Sequence, residues 1–139
     1  MSAVSAVMAA ARDPWWVIGS AAVALYVDRG IDVRDVDVLL SVRDIESLAT
    51  GLRLTFADAD DDRLFRSTRF LRWSIDGMPV EFMAGFAINR PSGWRPVELA
   101  TREEIDVAGA PIFIPARAEL RAMLIEFGRE KDLARAALM

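Results

Sequence analysis

The chain has 139 residues, of which 53% are hydrophobic, and it carries a formal net charge of −4 at pH 7. This length and composition predict a single globular domain over residues 1–139 with a hydrophobic core of its own. The sequence contains no cysteine and no histidine, which excludes disulfide bonds, zinc sites of Cys or His, and catalysis by a histidine base or a cysteine nucleophile. Acid–base or metal chemistry must therefore use Asp, Glu, Lys, Arg, Ser or Tyr.

The acidic balance also limits the expected partners. A sequence pI near 4.9 argues against general attraction to nucleic acid, although a local basic patch stays possible in principle. The apolar opening, Met1–Ala11, has no basic flank and ends after about ten residues at Arg12-Asp13-Pro14, so it favours a first helix over a signal peptide or a membrane span. We expect a cytoplasmic protein with no membrane partner.

Hydrophobic periodicity and turn residues predict alternating helices and strands. Helices are predicted over residues 2–11, 21–29, 44–49, 115–127 and 130–138. Strands are predicted over residues 15–18, 34–41, 52–56, 64–75 and 78–86, with a further pair between 97 and 114. Loops are predicted over residues 58–62 and 89–96. Asp76-Gly77 is a strong hairpin signal, and the mixture of hairpins and helices predicts an α+β, mixed-sheet fold.

Asp35 and Asp37 are the most informative residues of the chain. On a strand, alternate side chains point to the same face, so the two carboxylates lie about 6–7 Å apart, whereas Val36 and Val38 point to the core. Two like charges at that distance repel by roughly 2–3 kcal/mol. The pattern therefore predicts a cation between them, and a hard divalent ion such as Mg²⁺ is the natural partner of bare carboxylates.

Two further features complete a candidate site. Gly19 and Ser20 follow the apolar run that ends at Ile18 and precede a predicted helix, for which Ser20 is the expected N-cap. The N-terminus of such a helix binds phosphate, and glycine allows the ligand to approach closely. Glu81 lies in the apolar strand Val80–Met83, where an unpaired carboxylate is costly, and would supply a third acid.

These motifs together resemble the nucleotidyltransferase superfamily of the DNA polymerase β type. The matching segments are Val17-Ile18-Gly19-Ser20, Asp35-Val36-Asp37-Val38 and Val80-Glu81-Phe82. The segment Gly128-Arg129-Glu130-Lys131-Asp132 is similar to the Gly-Arg-x-Lys-Asp ending of small bacterial nucleotidyltransferases related to abortive-infection toxins. The resemblance implies a central mixed β-sheet flanked by helices, with helices at the C-terminus.

The resemblance also implies a reaction. Asp35, Asp37 and Glu81 would be the catalytic and metal-binding residues and would hold two Mg²⁺ ions, with Glu81 helping to deprotonate an acceptor hydroxyl. Gly19, Ser20, Arg129 and Lys131 would bind the nucleotide. The reaction would transfer a nucleoside monophosphate from ATP or another NTP to a hydroxyl of a small molecule, a protein or an RNA, and release pyrophosphate. The sequence reveals neither which acceptor is used nor the oligomeric state.

Two alternatives remain open at this stage. The first is a non-catalytic or partner-dependent module of the same fold, such as one half of a toxin–antitoxin pair, because Leu124 occupies a place where the relatives often carry a lysine. The second is modification of RNA, for which the arginines at positions 63, 66, 69 and 72 would need to share one side. A regular strand would instead divide these arginines between its two faces.

Overall fold

The computed structural model of the chain describes residues 1–28, 30–58 and 62–139. The end of the predicted helix at Arg29 and most of the predicted acidic loop, residues 59–61, lie outside the described residues. Within the described residues, helices span α1 Ser2–Met8, α2 Gly19–Tyr26, α3 Val42–Leu52, α4 Arg117–Phe127 and α5 Glu130–Ala136. In that same part of the chain, no helix is long and apolar enough to span a membrane.

The strands of the described residues form three sheets, which together with the helices confirm the predicted α+β fold. Strands lie at β1 Trp16–Ile18, β2 Val36–Leu40, β3 Phe65–Arg66, β4 Arg69–Ile75, β5 Met78–Ala84, β6 Ala87–Arg90, β7 Gly93–Pro96, β8 Glu103–Val107 and β9 Ala110–Ile114. The main sheet has the order β1-β2-β5-β4, and the smaller sheets are β3-β6-β7 and β8-β9. The main sheet is mixed, because β2 and β5 run parallel whereas β1–β2 and β4–β5 are antiparallel.

One face of the main sheet forms the core. Val17, Val38, Phe82 and Leu71 are register partners across the four strands, and all are fully buried. The predicted alternation of β2 is therefore correct, since Asp37 lies on the opposite face from Val38. This arrangement leaves the second face of the sheet available for polar groups.

The turn residues specify the hairpins. Asp76 and Gly77 both have positive φ, 49° and 80°, which is the two-residue turn that matches the twist of the flanking strands. The β8–β9 hairpin repeats this geometry at Ala108 and Gly109, with φ of 53° and 82°. The hairpin predicted at Asp76-Gly77 and the pair of strands predicted between residues 97 and 114 are both confirmed.

Three sequence predictions are wrong. Residues 52–56 are not a strand, because α3 continues to Leu52 and ends at Arg53 in the left-handed conformation. Residues 89–96 are not a loop but belong to the β6–β7 hairpin, in which Arg90 pairs with Gly93. Ser20 is not an N-cap, because α2 begins at Gly19, and Ile18 occupies the cap position.

The predicted strand over residues 64–75 is interrupted at Ser67 and Thr68. The N–H of Thr68 donates to the carbonyl of Ala84, and a Cβ on Gly85 would overlap Thr68 Oγ1 at 2.2 Å. A side chain at position 85 would therefore block the crossing of these two segments. The break directs β3 to pair with β6, whereas β4 pairs with β5.

Candidate active site

A cavity of about 510 Å³ lies over the polar face of the main sheet. It is bounded by the start of α2, the segment before β2, strands β3 to β5, and the α4–α5 region. It contains every residue that the sequence marked as a candidate: Gly19, Ser20, Asp35, Asp37, Glu81, Arg129 and Lys131. The fold therefore brings together residues that are up to 112 positions apart in the chain.

A single row of side chains crosses the sheet beneath this cavity. Ile18 of β1, Asp37 of β2, Glu81 of β5 and Arg72 of β4 are consecutive register partners. Asp37 and Glu81 are direct neighbours on parallel strands, so their side chains emerge from the same face. Asp35 precedes the first residue of β2 and also lines the cavity.

Gly19 begins α2 directly beside Asp37. Its φ is +65°, and a Cβ on this residue would lie 2.9 Å from Oδ2 of Asp37. Ser20 is only 3% exposed, and no side chain of the described residues caps the N-terminus of α2. Backbone N–H groups and the positive end of the helix dipole therefore face the cavity in which the carboxylates lie, as an anion site requires.

The environment of Asp37 is unfavourable for its charge. Burial, followed by the neighbouring charges of Asp35 and Glu81, raises the pKa of Asp37 from 3.8 to about 7. Lys131 and Arg129 act in the opposite direction and lower it. A group with this pKa exchanges its proton near neutral pH, and a cation bound beside it would favour its charged form.

Glu81 also lies near an arginine. Its Oε1 lies 3.7 Å from Nε of Arg72, which also stacks over the ring of Phe70 at 5.2 Å. Among residues 1–28, 30–58 and 62–139, no three acidic side chains are gathered closely enough to share a metal ion. Asp37 nevertheless has two acidic neighbours, Asp35 and Glu81, and the charge of Asp35 raises its pKa more than that of Glu81 does.

The C-terminal motif brings its cations to the same cavity. Gly128 ends α4 with φ of 71°, which reverses the chain so that α5 begins two residues later. Arg129 and Lys131 both line the cavity and both influence the pKa of Asp37. Asp132 is 1% exposed and accepts two hydrogen bonds from Arg129.

Sequence reasoning missed several residues of the cavity wall. Phe65, Phe86 and Phe127 pack on one another with ring centroids 4.8 to 6.0 Å apart and form an apolar wall. Arg66 enters the cavity and stacks over Trp94 at 4.5 Å, whereas Arg135 enters it from α5. Of these residues, only Arg135 could have been found from the sequence, through its i, i+3 spacing from Asp132. Such spacing is common on helix surfaces and is therefore not specific.

The arginines 63, 66, 69 and 72 do not form one strip. Arg72 is a register partner of Glu81 on the cavity face, but Arg69 lies on the opposite face and stacks over Phe56 at 5.2 Å. Arg66 belongs to the smaller sheet. This division of the cations gives no support to an extended nucleic-acid surface along these strands.

Comparison with known proteins identifies the architecture. No family model and no curated protein matches the sequence. A solved structure of a provisionally assigned nucleotidyltransferase from Thermotoga maritima superimposes with a TM-score of 0.75 at 20% identity, covering 91% of this chain and 81% of its own.

Two further solved structures also resemble the chain. ANT(2″)-Ia in complex with adenylyl-2″-tobramycin matches with a TM-score of 0.55 at 13% identity, over 96% of this chain and 81% of its own. The lincosamide antibiotic adenylyltransferase LnuA, bound to lincomycin, matches with a TM-score of 0.55 at 12% identity, over 90% and 84%. The chain therefore shares its arrangement of helices and strands with these proteins and has the nucleotidyltransferase fold.

Proposed function

We propose that the protein is a magnesium-dependent nucleotidyltransferase that transfers a nucleoside monophosphate from an NTP to the hydroxyl group of an acceptor. The observation that carries this proposal is the position of Asp37, a half-buried carboxylate with a raised pKa, between the N-terminus of α2 and Glu81. An anion site and a cation site are thereby adjacent, as a metal-bound triphosphate requires.

The ligand atoms that the site offers fit a hard divalent cation. Asp35, Asp37 and Glu81 offer only carboxylate oxygens, and the first and third raise the pKa of the second. One or two magnesium ions would be held by Asp35 and Asp37, with Glu81 as the third ligand. When bound, magnesium supplies positive charge that stabilises the phosphate oxygens during the displacement.

The chemical step is a substitution at the α-phosphorus. The acceptor oxygen forms a bond to that phosphorus, the bond to the β-phosphate oxygen breaks, and pyrophosphate leaves with its electron pair. The acceptor proton moves to a carboxylate of the site, for which Glu81 is the proposed base because it lies next to Asp37 on the exposed side of the row.

The remaining residues bind and orient the nucleotide. Gly19 and Ser20 would contact the phosphates through the backbone N–H groups at the start of α2, and Arg129 and Lys131 would neutralise phosphate charge from α5. A small-molecule acceptor is favoured because ANT(2″)-Ia was solved with adenylyl-2″-tobramycin and LnuA with lincomycin. ATP is the proposed donor for the same reason.

The proposal is tested first by binding. Calorimetric titration with a non-hydrolysable ATP analogue and magnesium should show binding to the wild-type protein that is lost in the variant Asp35→Ala/Asp37→Ala. Asp106→Ala is the matched control, since this aspartate is exposed on β8, outside the cavity. Pyrophosphate release in the presence of hydroxyl-bearing acceptors should likewise be lost in Asp37→Ala, and full activity of that variant would refute the assignment.

A second candidate function is a partner-dependent module of the same fold. Leu124 favours it, because this residue is fully buried and forms part of the cavity wall where a basic residue is common in the proteins that the sequence resembles. Under this hypothesis the isolated chain turns over no NTP, and a neighbour-encoded protein forms a stable complex with it. Nucleotide turnover by the isolated monomer would exclude it.

A further inference from the structure

Asp132 is a buried charge at the edge of the cavity. Its side chain is 1% exposed, and it lies in the first turn of α5. Its carboxylate accepts hydrogen bonds from Nε of Arg129 at 2.6 Å and from Nη2 of Arg129 at 3.1 Å. Nη1 of Arg135 lies 3.9 Å from Oδ1 of the same carboxylate. Asp132 therefore makes two hydrogen bonds to one arginine and a longer ion pair with a second.

Arg129 is fixed from two sides. The two parallel hydrogen bonds to Asp132 define the plane of its guanidinium group. The guanidinium carbon also lies 4.8 Å from the ring centroid of Phe65, which itself packs against Phe86 and Phe127. Since Arg129 and Arg135 both line the cavity, these contacts preorganise cationic groups that face the ligand space.

The charged residues around Asp132 carry more positive than negative charge. Arg129, Lys131 and Arg135 contribute three cations, and Asp132 neutralises one of them. Gly19 and Ser20 line the same cavity at the start of α2. An extended anion such as a polyphosphate could therefore contact α2 at one end and the arginine pair at the other.

We infer that Asp132 is a positioning residue that presents Arg129 and Arg135 as a fixed guanidinium pair for the polyphosphate of the nucleotide. This inference rests on the proposed function for the identity of the bound nucleotide, but the guanidinium pair itself requires only a polyphosphate. In this role Asp132, whose side chain is 1% exposed, acts through the two arginines.

The sign of the charge effect makes the inference testable. A carboxylate near an anion site repels the anion, so its removal should tighten binding if charge alone matters. If Asp132 instead positions the arginines, its removal releases two flexible side chains and weakens binding, because their ordering then opposes association. The two interpretations predict opposite changes for the same substitution.

The experiment is calorimetric titration of inorganic tripolyphosphate, with magnesium chloride present, into wild type and Asp132→Asn. We expect Asp132→Asn to weaken binding about tenfold, the effect of one lost charge-assisted interaction. Asp106→Asn is the matched control, because it changes the net charge equally at an exposed position on β8, and it should leave the affinity unchanged. Unchanged or tighter binding by folded Asp132→Asn would overturn the inference.

A second variant decides the matter if Asp132→Asn does not fold. Arg129→Lys keeps the charge but cannot form the paired hydrogen bonds, so it should weaken tripolyphosphate binding to a similar extent. Unchanged affinity of Arg129→Lys would contradict the inference. Where both single variants fold, the double variant should bind no more weakly than either, because the two changes remove one interaction.

These results separate the positioning role from the proposed function. Tripolyphosphate binding with the expected pattern, in a protein that does not bind the ATP analogue with magnesium, would support the positioning role and refute the proposed nucleotide site. If the protein does transfer nucleotides, Asp132→Asn should raise KM for ATP more than it lowers kcat. Transfer with an unchanged KM in Asp132→Asn would support the transferase and refute the positioning role.

Discussion

The carboxylate of Asp37 lies against the α-carbon of Gly19, so that a Cβ at position 19 would be 2.9 Å from Oδ2 of Asp37. Gly19 also has φ of +65°, a conformation that costs other residues about 1–2 kcal/mol. Gly19→Ala should therefore lower the free energy of unfolding by at least that amount and displace Asp37. Urea unfolding and magnesium-dependent binding of the ATP analogue measure the two effects.

Gly51→Ala is the matched control for this substitution. Gly51 lies inside α3, and apart from that helix no described atom would lie within 4 Å of the new Cβ. This change should stabilise the protein by about 0.5–1 kcal/mol and leave nucleotide binding intact. Equal tolerance of alanine at positions 19 and 51 would show that the close approach to Asp37 has no consequence.

The raised pKa of Asp37 predicts how stability depends on pH in the metal-free protein. Burial first, and then Asp35 and Glu81, raise its pKa from 3.8 to about 7. The folded state therefore binds this proton more tightly than the unfolded state and loses stability as the pH rises from about 4 to about 7. Asp37→Asn removes the charge and should stabilise the metal-free protein above pH 7 by about 1–3 kcal/mol.

Urea unfolding in EDTA at acidic and at mildly alkaline pH tests this expectation. Near pH 4 the wild type and Asp37→Asn should unfold at similar urea concentrations, because Asp37 is then protonated in the folded chain. At alkaline pH, magnesium should stabilise only the wild type. A wild type that is more stable than Asp37→Asn in EDTA at alkaline pH would contradict the burial of this charge.

Glu119 predicts the opposite pH dependence. Burial raises its pKa, but hydrogen bonds from the hydroxyl of Thr101 and from the N–H groups of Ala100 and Thr101 outweigh burial, so the pKa is lowered overall. This stabilisation is present above the pKa of the unfolded chain and is lost as the pH falls through the folded pKa. Glu119→Gln should cost about 1–2 kcal/mol at pH 7 and much less in acid.

The measurement is the urea midpoint of Glu119→Gln at pH 7 and at acidic pH. Glu46→Gln is the control, because Glu46 is exposed on α3 and its substitution should change stability little at either pH. If both variants show the same pH dependence, the hydrogen bonds to residues 100 and 101 do not stabilise the segment before β8.

Adjacent residues of α4 allow a test of the cavity wall. Leu124 is fully buried, whereas Ile125 is 45% exposed. Leu124→Ala should destabilise the protein by about 2–5 kcal/mol, since it removes a packed side chain from the core. Ile125→Ala should cost little, because its side chain is already in water. Thermal unfolding compares the two variants, and similar losses would show that Leu124 is not part of the core.

Local patterns were sufficient for most elements of this fold. The alternation around Asp37 predicted a half-buried strand, and Asp76-Gly77 predicted the hairpin that joins β4 and β5. Both patterns depend only on neighbouring residues. The loop predicted over residues 89–96 became β6–β7, and the strand over residues 64–75 was broken at Ser67 and Thr68. Those errors share one cause: strand pairing and the crossing at Gly85 depend on residues distant in sequence.

The same division applies to the candidate site. The sequence alone determined which groups carry charge and which positions are glycine, and hence that any metal site here must use carboxylates. Only the tertiary structure decided that Asp37 lies against Gly19, that Glu81 contacts Arg72, and that Asp132 is buried beneath Arg129. Burial and cross-strand register result from packing the whole chain, and they set the pKa values and side-chain positions on which the proposed chemistry depends.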